Sequence, residues 1–298
     1  MAILFFFIDG IGVGDAGEHN PLANESLIFF SSLTKQNGIH SGCEAVLESD
    51  LLYRPIDANL EVDGLPQSGT GQATLFSGQN AAKINGRHFG PFPPTKTRHL
   101  LKKESLFHHL LQAGKQPHFI NAYPEVFFEK VKKRNRWTAT TMMTLAAGLK
   151  VNRTKDIMEG RAVTADITQN AWREQLHMDV PMITEKEAAD RLLHAATRYD
   201  LVLFEYYLTD KAGHLQQMET AEGVLQSLDR LLTAVSDGLR SGDTLVLTSD
   251  HGNLEDLSIK KHTRNPVPLI VKGTSDHFHT CRSIMDVTPA IVKALLKG

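Results

Sequence analysis

Six residues of two kinds stand where a chain can use them for metal chemistry. Asp9 follows the apolar run AILFFFI, Asp210 follows LVLFEYYLT, and Asp250 follows DTLVLTS. Three histidines accompany them. His251 is the neighbour of Asp250, His214 completes a D-x-x-x-H spacing from Asp210, and His262 lies in KKHTRNPVPLIV. Carboxylates gathered in one place repel one another unless a positive charge compensates. Three Asp and three His make a hard-to-borderline ligand set suited to Zn²⁺ or Mn²⁺. That set overfills a single open catalytic site, so two divalent metal ions are expected. Paired ions of this kind sit about 3.5–4 Å apart and clamp the attacking and leaving oxygens of a phosphoryl displacement. Singly, each Asp reads equally as a strand-end cap and each His as a satisfied core or surface residue; only the set points to a metal centre.

Displacement at phosphorus needs a nucleophile. In GLPQSGTGQATLFSGQNAA, residues 64–82, a turn of small residues leads into an apolar helix. Ser68 or Thr70 stands at its start, where free N–H groups and the positive dipole end attract a phosphate. A hydroxyl there, beside a metal, can lose its proton and attack. A plain N-cap is the alternative role.

The elements that must hold these groups are visible in outline. AILFFFI (2–8), DLVLFEYYL (200–208), DTLVLTS (243–249) and VPLIVK (267–272) are continuous apolar, β-branched and aromatic runs. Runs of this kind suit a parallel sheet covered on both faces. Helical spacing recurs at 185–198, at 220–240 and at 288–296, where Thr288 is expected as N-cap and Pro289 as first helical residue. Strand–helix alternation predicts an α/β fold, a doubly wound, mostly parallel sheet with helices on both faces. Ligands of such sheets sit beyond the carboxyl ends of the strands, where the three Asp fall. Residues 43–63 alternate and predict a hairpin or edge ribbon. Residues 86–97, GRHFGPFPPTKT, predict a loop. KQPHFINAY and TATTMMTLAAGL read as core. The basic run KVKKRNR, 130–136, is either a solvated helix end or a patch that steers an anionic substrate.

At 298 residues and 41% hydrophobic content, the chain suits one large domain over 1–298, with any small cap or loop insertion falling within 84–160. A net charge of −2 offers no basic field for a nucleic acid polymer. Cys43 and Cys281 supply neither a disulfide framework nor a zinc site, which predicts reduced, cytoplasmic residence. MAILFFFIDG has no basic residue before its apolar run and reads as a buried strand, not a signal peptide. No apolar run reaches the roughly 20 residues of a membrane span, and nothing in the sequence sets an oligomeric state. Gly12-Val-Gly14-Asp-Ala-Gly17 matches G-x-G-x-x-G, but Pro21 interrupts the helix that a dinucleotide site requires.

Together these motifs resemble the alkaline phosphatase superfamily, in the branch of cofactor-independent phosphoglycerate mutase and phosphopentomutase. Asp9 in IDGIGVGD resembles the family's first metal Asp, and TSDHGNLED resembles T-[SA]-D-H-G-N-x-E. HTRNPVPLIV resembles H-T-x-N-P-V-P, Asp210/His214 resemble D-x-x-G-H, and MDVTPAIVKALL resembles the closing helix. The resemblance spans residues 9–290. It implies one metal ion on Asp210, His214 and His262, and another on Asp9, Asp250, His251 and the Ser68 oxygen. It also selects Ser68 over Thr70, because the family's nucleophile is followed ten residues later by glycine, here Gly78. Ser68 would then form a phosphoserine that water releases. Mn²⁺ suits the mutase branch and Zn²⁺ the phosphatase branch.

The mutases of that family carry a large inserted domain. Here about 140 residues separate Ser68 from Asp210, and much of that stretch is expected in the core, with no evident Arg cluster for a glycerate carboxylate. Without a cap to exclude water, a phosphoserine should hydrolyse. The expectation is therefore a phosphohydrolase, a phosphomonoesterase first, acting on a small phosphate ester. A phosphomutase or phosphotransferase is the alternative, followed by a non-catalytic metal-binding relative. The sulfatase nucleophile motif Cys/Ser-x-Pro-x-Arg is absent, since Gly-Thr-Gly-Gln follows Ser68. Asn80, Lys83, Arg87 and Tyr123 are candidate phosphate contacts. Glu205, inside an apolar strand, needs a partner, either as support for the metal ligands or in an ion pair.

Overall fold

ILFFFI is apolar at every position, and as strand β1 (Ile3–Ile8) it is buried throughout. Side chains alternate between the faces of a strand, so Ile3, Phe5 and Phe7 enter one hydrophobic core while Leu4, Phe6 and Ile8 enter another. The computed structural model describes residues 1–297. In it β1 is joined by β2 (Val46–Leu47), β3 (Leu51–Ile56), β4 (Pro117–Phe119), β5 (Leu201–Tyr206), β6 (Thr244–Thr248) and β7 (Val267–Lys272). One sheet results, in the order β2-β3-β7-β6-β1-β5-β4.

Strands β6, β1, β5 and β4 are parallel, with Ile3 opposite both Leu201 and Thr244. Their carboxyl ends therefore open on the same side. These four strands form the parallel centre expected, and the sheet becomes mixed beyond β6, where the direction of VPLIVK departs from the sequence reading. Strand β7 runs antiparallel to β6, β3 antiparallel to β7, and β2 antiparallel to β3. The cause lies in a connection: residues 249–266 contain no helix, and a parallel return requires a long crossover, usually a helix. VPLIVK is buried as its composition suggested, but it comes back directly and so reverses. The ribbon expected within 43–63 is the β2–β3 hairpin at the sheet edge.

Helices cover both faces. Glu185–Ala195 and Met218–Gly238 pack on one, the latter through Leu225, Leu228, Leu232 and Val235, a helical apolar stripe. Ser68–Ser77, Leu106–Gln112, Ala139–Ala146 and Val287–Lys297 pack on the other. The last of these corrects the expected cap. It starts at Val287, running on from a 3₁₀ turn, Ile284–Asp286, whose capping residue is Ser283. Thr288 lies inside the helix and donates to the Leu75 carbonyl at 2.6 Å, tying the closing helix to the Ser68 helix. The basic run forms the end of helix Glu125–Arg134. Cys43 and Cys281 are buried free thiols. No helix among the described residues is long and apolar enough to cross a membrane.

Candidate metal centre

The carboxyl ends of β1, β5 and β6 deliver the site. Asp9 follows β1 directly. The helix after β5, Leu208–Leu215, carries Asp210 and His214 one turn apart on one face. Asp250 and His251 follow β6, and His262 sits on the return toward β7. Close approach of these segments depends on Gly10, whose φ is +72° and whose replacement by any side chain would put a Cβ 2.8 Å from the Asp210 Cα.

The ligand atoms converge. His251 Nε2 lies 3.2 Å from Asp9 Oδ1, 3.6 Å from Asp250 Oδ2 and 2.9 Å from Ser68 Oγ. His262 Nε2 lies 3.2 Å from His214 Nε2 and 3.5 Å from Asp210 Oδ1. His214 Nε2 is 3.4 Å from Asp210 Oδ2. Two sets, Asp9/Asp250/His251 and Asp210/His251/His262, hold their donor atoms within 4.8 Å of one another. The two sets share His251, whose imidazole stacks on that of His262 at 3.9 Å.

Hydrogen bonds behind the donors set their direction. His262 Nδ1 donates to the Pro66 carbonyl at 2.8 Å and His214 Nδ1 to the Lys260 carbonyl at 2.9 Å. A carbonyl only accepts, so the ring proton sits on Nδ1 and the Nε2 lone pair faces the cluster. Asn253 Nδ2 donates to the Asp210 carbonyl and to its Oδ1, at 3.0 and 2.7 Å. Gln72 donates to Asp9 Oδ2 at 3.2 Å. Glu255 is a buried clamp: its Oε2 accepts from the Gly12 and Asn253 amides, each at 2.8 Å, and its Oε1 accepts from the Thr263 hydroxyl. It thereby joins the loops after β1 and β6 to the His262 segment. A side chain at position 12 would strike Glu255, so Gly12 serves this clamp.

Burial and mutual repulsion among the carboxylates dominate the electrostatics of the cluster. Burial, and then Asp9, hold Asp250 well above the usual carboxylate range, and Asp210 is raised by the same causes. Burial together with His251 lowers His262 to about 4. Burial alone would lower His251, but Asp250 and Asp9 outweigh it and push it up to about 10. Asp9 Oδ1 and both Asp250 oxygens are buried with no hydrogen-bond partner, an expensive condition for charged groups. Oxygen and imidazole donors, partnerless buried carboxylate oxygens and fixed tautomers all fit divalent cations.

Ser68 is the first residue of helix Ser68–Ser77, after an extended Gln67. Thr70, the other hydroxyl considered, is turned away: it accepts from the Phe89 amide at 3.1 Å and pins the 86–97 loop. A cleft of about 830 Å³ opens over Ser68, lined also by Asp210, His214, His262 and Arg87. Lys260 and Lys261 complete its wall; the sequence placed them beside His262 without revealing that they face the cleft.

Of the candidate phosphate contacts, Arg87 lines this cleft, and the other side chains are engaged or placed elsewhere. Asn80 accepts from the Lys83 amide at 2.9 Å and donates to the Leu60 carbonyl at 2.8 Å, capping helix Ala81–Asn85. Lys83 is exposed on that helix. The Tyr123 hydroxyl donates to Glu205 Oε2 at 2.9 Å, and Thr140 donates to the same oxygen at 2.7 Å. Glu205 thus has hydroxyl partners and, among the described residues, no cation. Asn253, Glu255 and Gln72 were not singled out by type, although the first two lie inside TSDHGNLED.

Comparison with known proteins gives the chain its family and fold relatives. The 2,3-bisphosphoglycerate-independent phosphoglycerate mutase of Desulforudis audaxviator is 30% identical over 124 residues, 39% of this chain. That of Acetivibrio thermocellus is 29% identical over 125 residues, again 39%. In each case the match covers 24% of the relative's length. Among solved structures, a Pyrococcus horikoshii protein aligns with TM-score 0.59 and 16% identity over 100% of this chain and 97% of its own. A cold-active alkaline phosphatase of Shewanella sp. aligns with TM-score 0.56 and 11% identity, over 99% of this chain and 100% of its own. The Leishmania mexicana phosphoglycerate mutase aligns at 0.53 and 10%, over 99% and 95%. At these identities the structures establish the fold. The family model described as the Metalloenzyme superfamily matches residues 1–296. A match running from before Asp9 into the closing helix takes in every one of the converging donors, and the chain belongs to the metalloenzyme superfamily.

Proposed function

We propose that this protein is a divalent-metal-dependent phosphohydrolase that acts on phosphomonoesters through a phosphoserine at Ser68. The observation that carries this reading is the Ser68 hydroxyl, held at a helix start and 2.9 Å from the buried His251, a donor common to the two converging sets. Asp210, His214 and His262 would hold one ion, and Asp9, Asp250, His251 and Ser68 the other, with Mn²⁺ and Zn²⁺ both suited to the donors. Bound there, such ions supply the positive charge that lowers a hydroxyl's pKa and Lewis acidity toward phosphoryl oxygens.

The chain's own groups do the rest. The Ser68 and Gly69 amides at the start of helix Ser68–Ser77 and the Arg87 guanidinium receive phosphoryl oxygens. Lys260 and Lys261 add positive charge at the rim. Ser68 Oγ attacks phosphorus, the ester oxygen leaves, and water cleaves the phosphoserine to return the hydroxyl and free phosphate. The rim residues Arg87, Lys260 and Lys261 are exposed, so water has access to that phosphoserine, which favours hydrolysis over return transfer. A phosphomutase is the second reading, favoured by the name of the curated relatives.

Phosphate release from a panel of phosphomonoesters, with Mn²⁺ or Zn²⁺ and Ser68→Ala as control, tests the proposal. Release that disappears in the variant is expected. An isomerised ester without free phosphate would replace hydrolase by mutase. No conversion of any ester by fully metal-loaded protein would refute both.

A further inference from the structure

We propose that the substrate carries a second anionic group, a carboxylate or another phosphate, and that a cationic pocket beside the Ser68 cleft binds it. The inference rests on the phosphomonoester reading and names the class of ester.

The pocket measures about 650 Å³ and brings together Arg87, Lys96, Arg98 and Arg136. It shares Arg87, Phe89, Gly90 and Pro91 with the cleft over Ser68, so the two cavities have a common wall. No acidic side chain lines it, and none of its four cations has an ion-pair partner within 4.0 Å among the described residues. Unpaired cations that line one cavity give it a positive potential that attracts an anion. Arginines also offer planar, paired N–H donors that match carboxylate and phosphate oxygens.

The wall is built rather than loose. His88 Nε2 lies 3.1 Å from the carbonyls of Asn59 and Val62. The Thr70 amide donates to the Phe89 carbonyl at 2.9 Å. A side chain at Gly69 would clash with the carbonyls of Phe89 and Phe92, so the loop lies directly on the start of the Ser68 helix. Arg98 Nε donates to the Pro93 carbonyl at 3.1 Å, which orients its guanidinium and leaves the terminal amines free of other described bonds. Arg136 follows the basic end of helix Glu125–Arg134, with Lys132, Lys133 and Arg134 in its last turn. The run KVKKRNR therefore leads into the pocket, and its charge raises the local concentration of anions there.

Binding of non-hydrolysable phosphonates to the Mn²⁺-loaded protein, by titration calorimetry, tests this apart from turnover. The probes are methylphosphonate and a series of ω-phosphonoalkanoates of increasing chain length. At one length the added carboxylate should tighten binding by about tenfold or more, the worth of one charge-assisted hydrogen bond. K96E/R136E, which changes two exposed side chains outside the Ser68 cleft, should erase that gain and leave methylphosphonate binding comparable. The proposal is overturned if no chain length gains affinity, if the gain survives the double variant, or if inorganic sulfate fills the pocket without competing with the long phosphonate. Failure of the hydrolase reading looks different: no ester releases phosphate while the phosphonate preference stands. Ser68-dependent release from esters with no phosphonate preference would sink this inference alone.

Discussion

Glu205 makes the stability of the metal-free protein depend on pH in a direction opposite to that of most carboxylates. It lies in β5 opposite Phe7, buried, with its carboxylate against the hydroxyls of Tyr123 and Thr140. Burial raises its pKa from 4.5 to about 7, the two hydroxyls pulling it down and Asp9 pushing it further up. The folded protein therefore keeps this proton up to about pH 7, while the unfolded chain releases it near 4.5. Between those values the folded state binds more protons, so stability falls as pH rises through the window and is flat beyond it. A displacement of about 2.5 units corresponds to about 3 kcal/mol. Glu205→Gln removes the titration and imitates the protonated acid, its amide oxygen accepting both hydroxyls. The variant should match the wild type at low pH and exceed it by about 3 kcal/mol above neutrality, or about 5 °C in Tm for a chain of this size. Urea unfolding of both proteins in a chelator, across the window, gives the difference curve, in which titrations unrelated to Glu205 cancel. A curve that stays flat with pH, or a variant less stable than wild type above pH 7, would refute the assignment of a protonated, costly-to-ionise carboxyl to this position.

Asn253→Ala should weaken metal binding by about 10- to 100-fold, because the amide holds both the carbonyl and a carboxylate oxygen of Asp210. Competition with a chelator measures this, and an unchanged affinity would show that the helix alone positions Asp210. Chelation should lower Tm: an ion present at about a hundred times its Kd stabilises the fold by about 2.7 kcal/mol, or about 4 °C for 298 residues. Scanning calorimetry with and without chelator checks it, and equal midpoints would mean that the donor clusters take up no ion.

Parts of the fold and the site differ in legibility for one physical reason, the range over which each is determined. The strand ILFFFI declares its burial through its own residue types. The direction of β7 does not follow from VPLIVK, because direction is set by what lies between strands, here a connection with no helix. Asp9, Asp250 and His251 were visible for the same local reason as β1, each standing where a strand runs out, Asp210 and His214 through their one-turn spacing, and His262 through the segment around it. Hydrogen-bonding side chains gave weaker signals. Asn80 and Tyr123 have groups able to hold a phosphate, yet a carbonyl and a buried carboxylate already occupy them, and residue type says nothing about prior occupancy. Arg87, a candidate phosphate contact, and Arg136, in a run readable as a solvated helix end or a steering patch, are far apart in sequence. They meet only because the 86–97 loop rests on the helix that begins at Ser68. Residues placed by strand ends carry the chemistry that a fold shares among its members, whereas residues placed by loop packing distinguish one substrate from another. Selectivity in this protein should accordingly change with substitutions at positions 87–98 and 136 that leave the metal donors untouched.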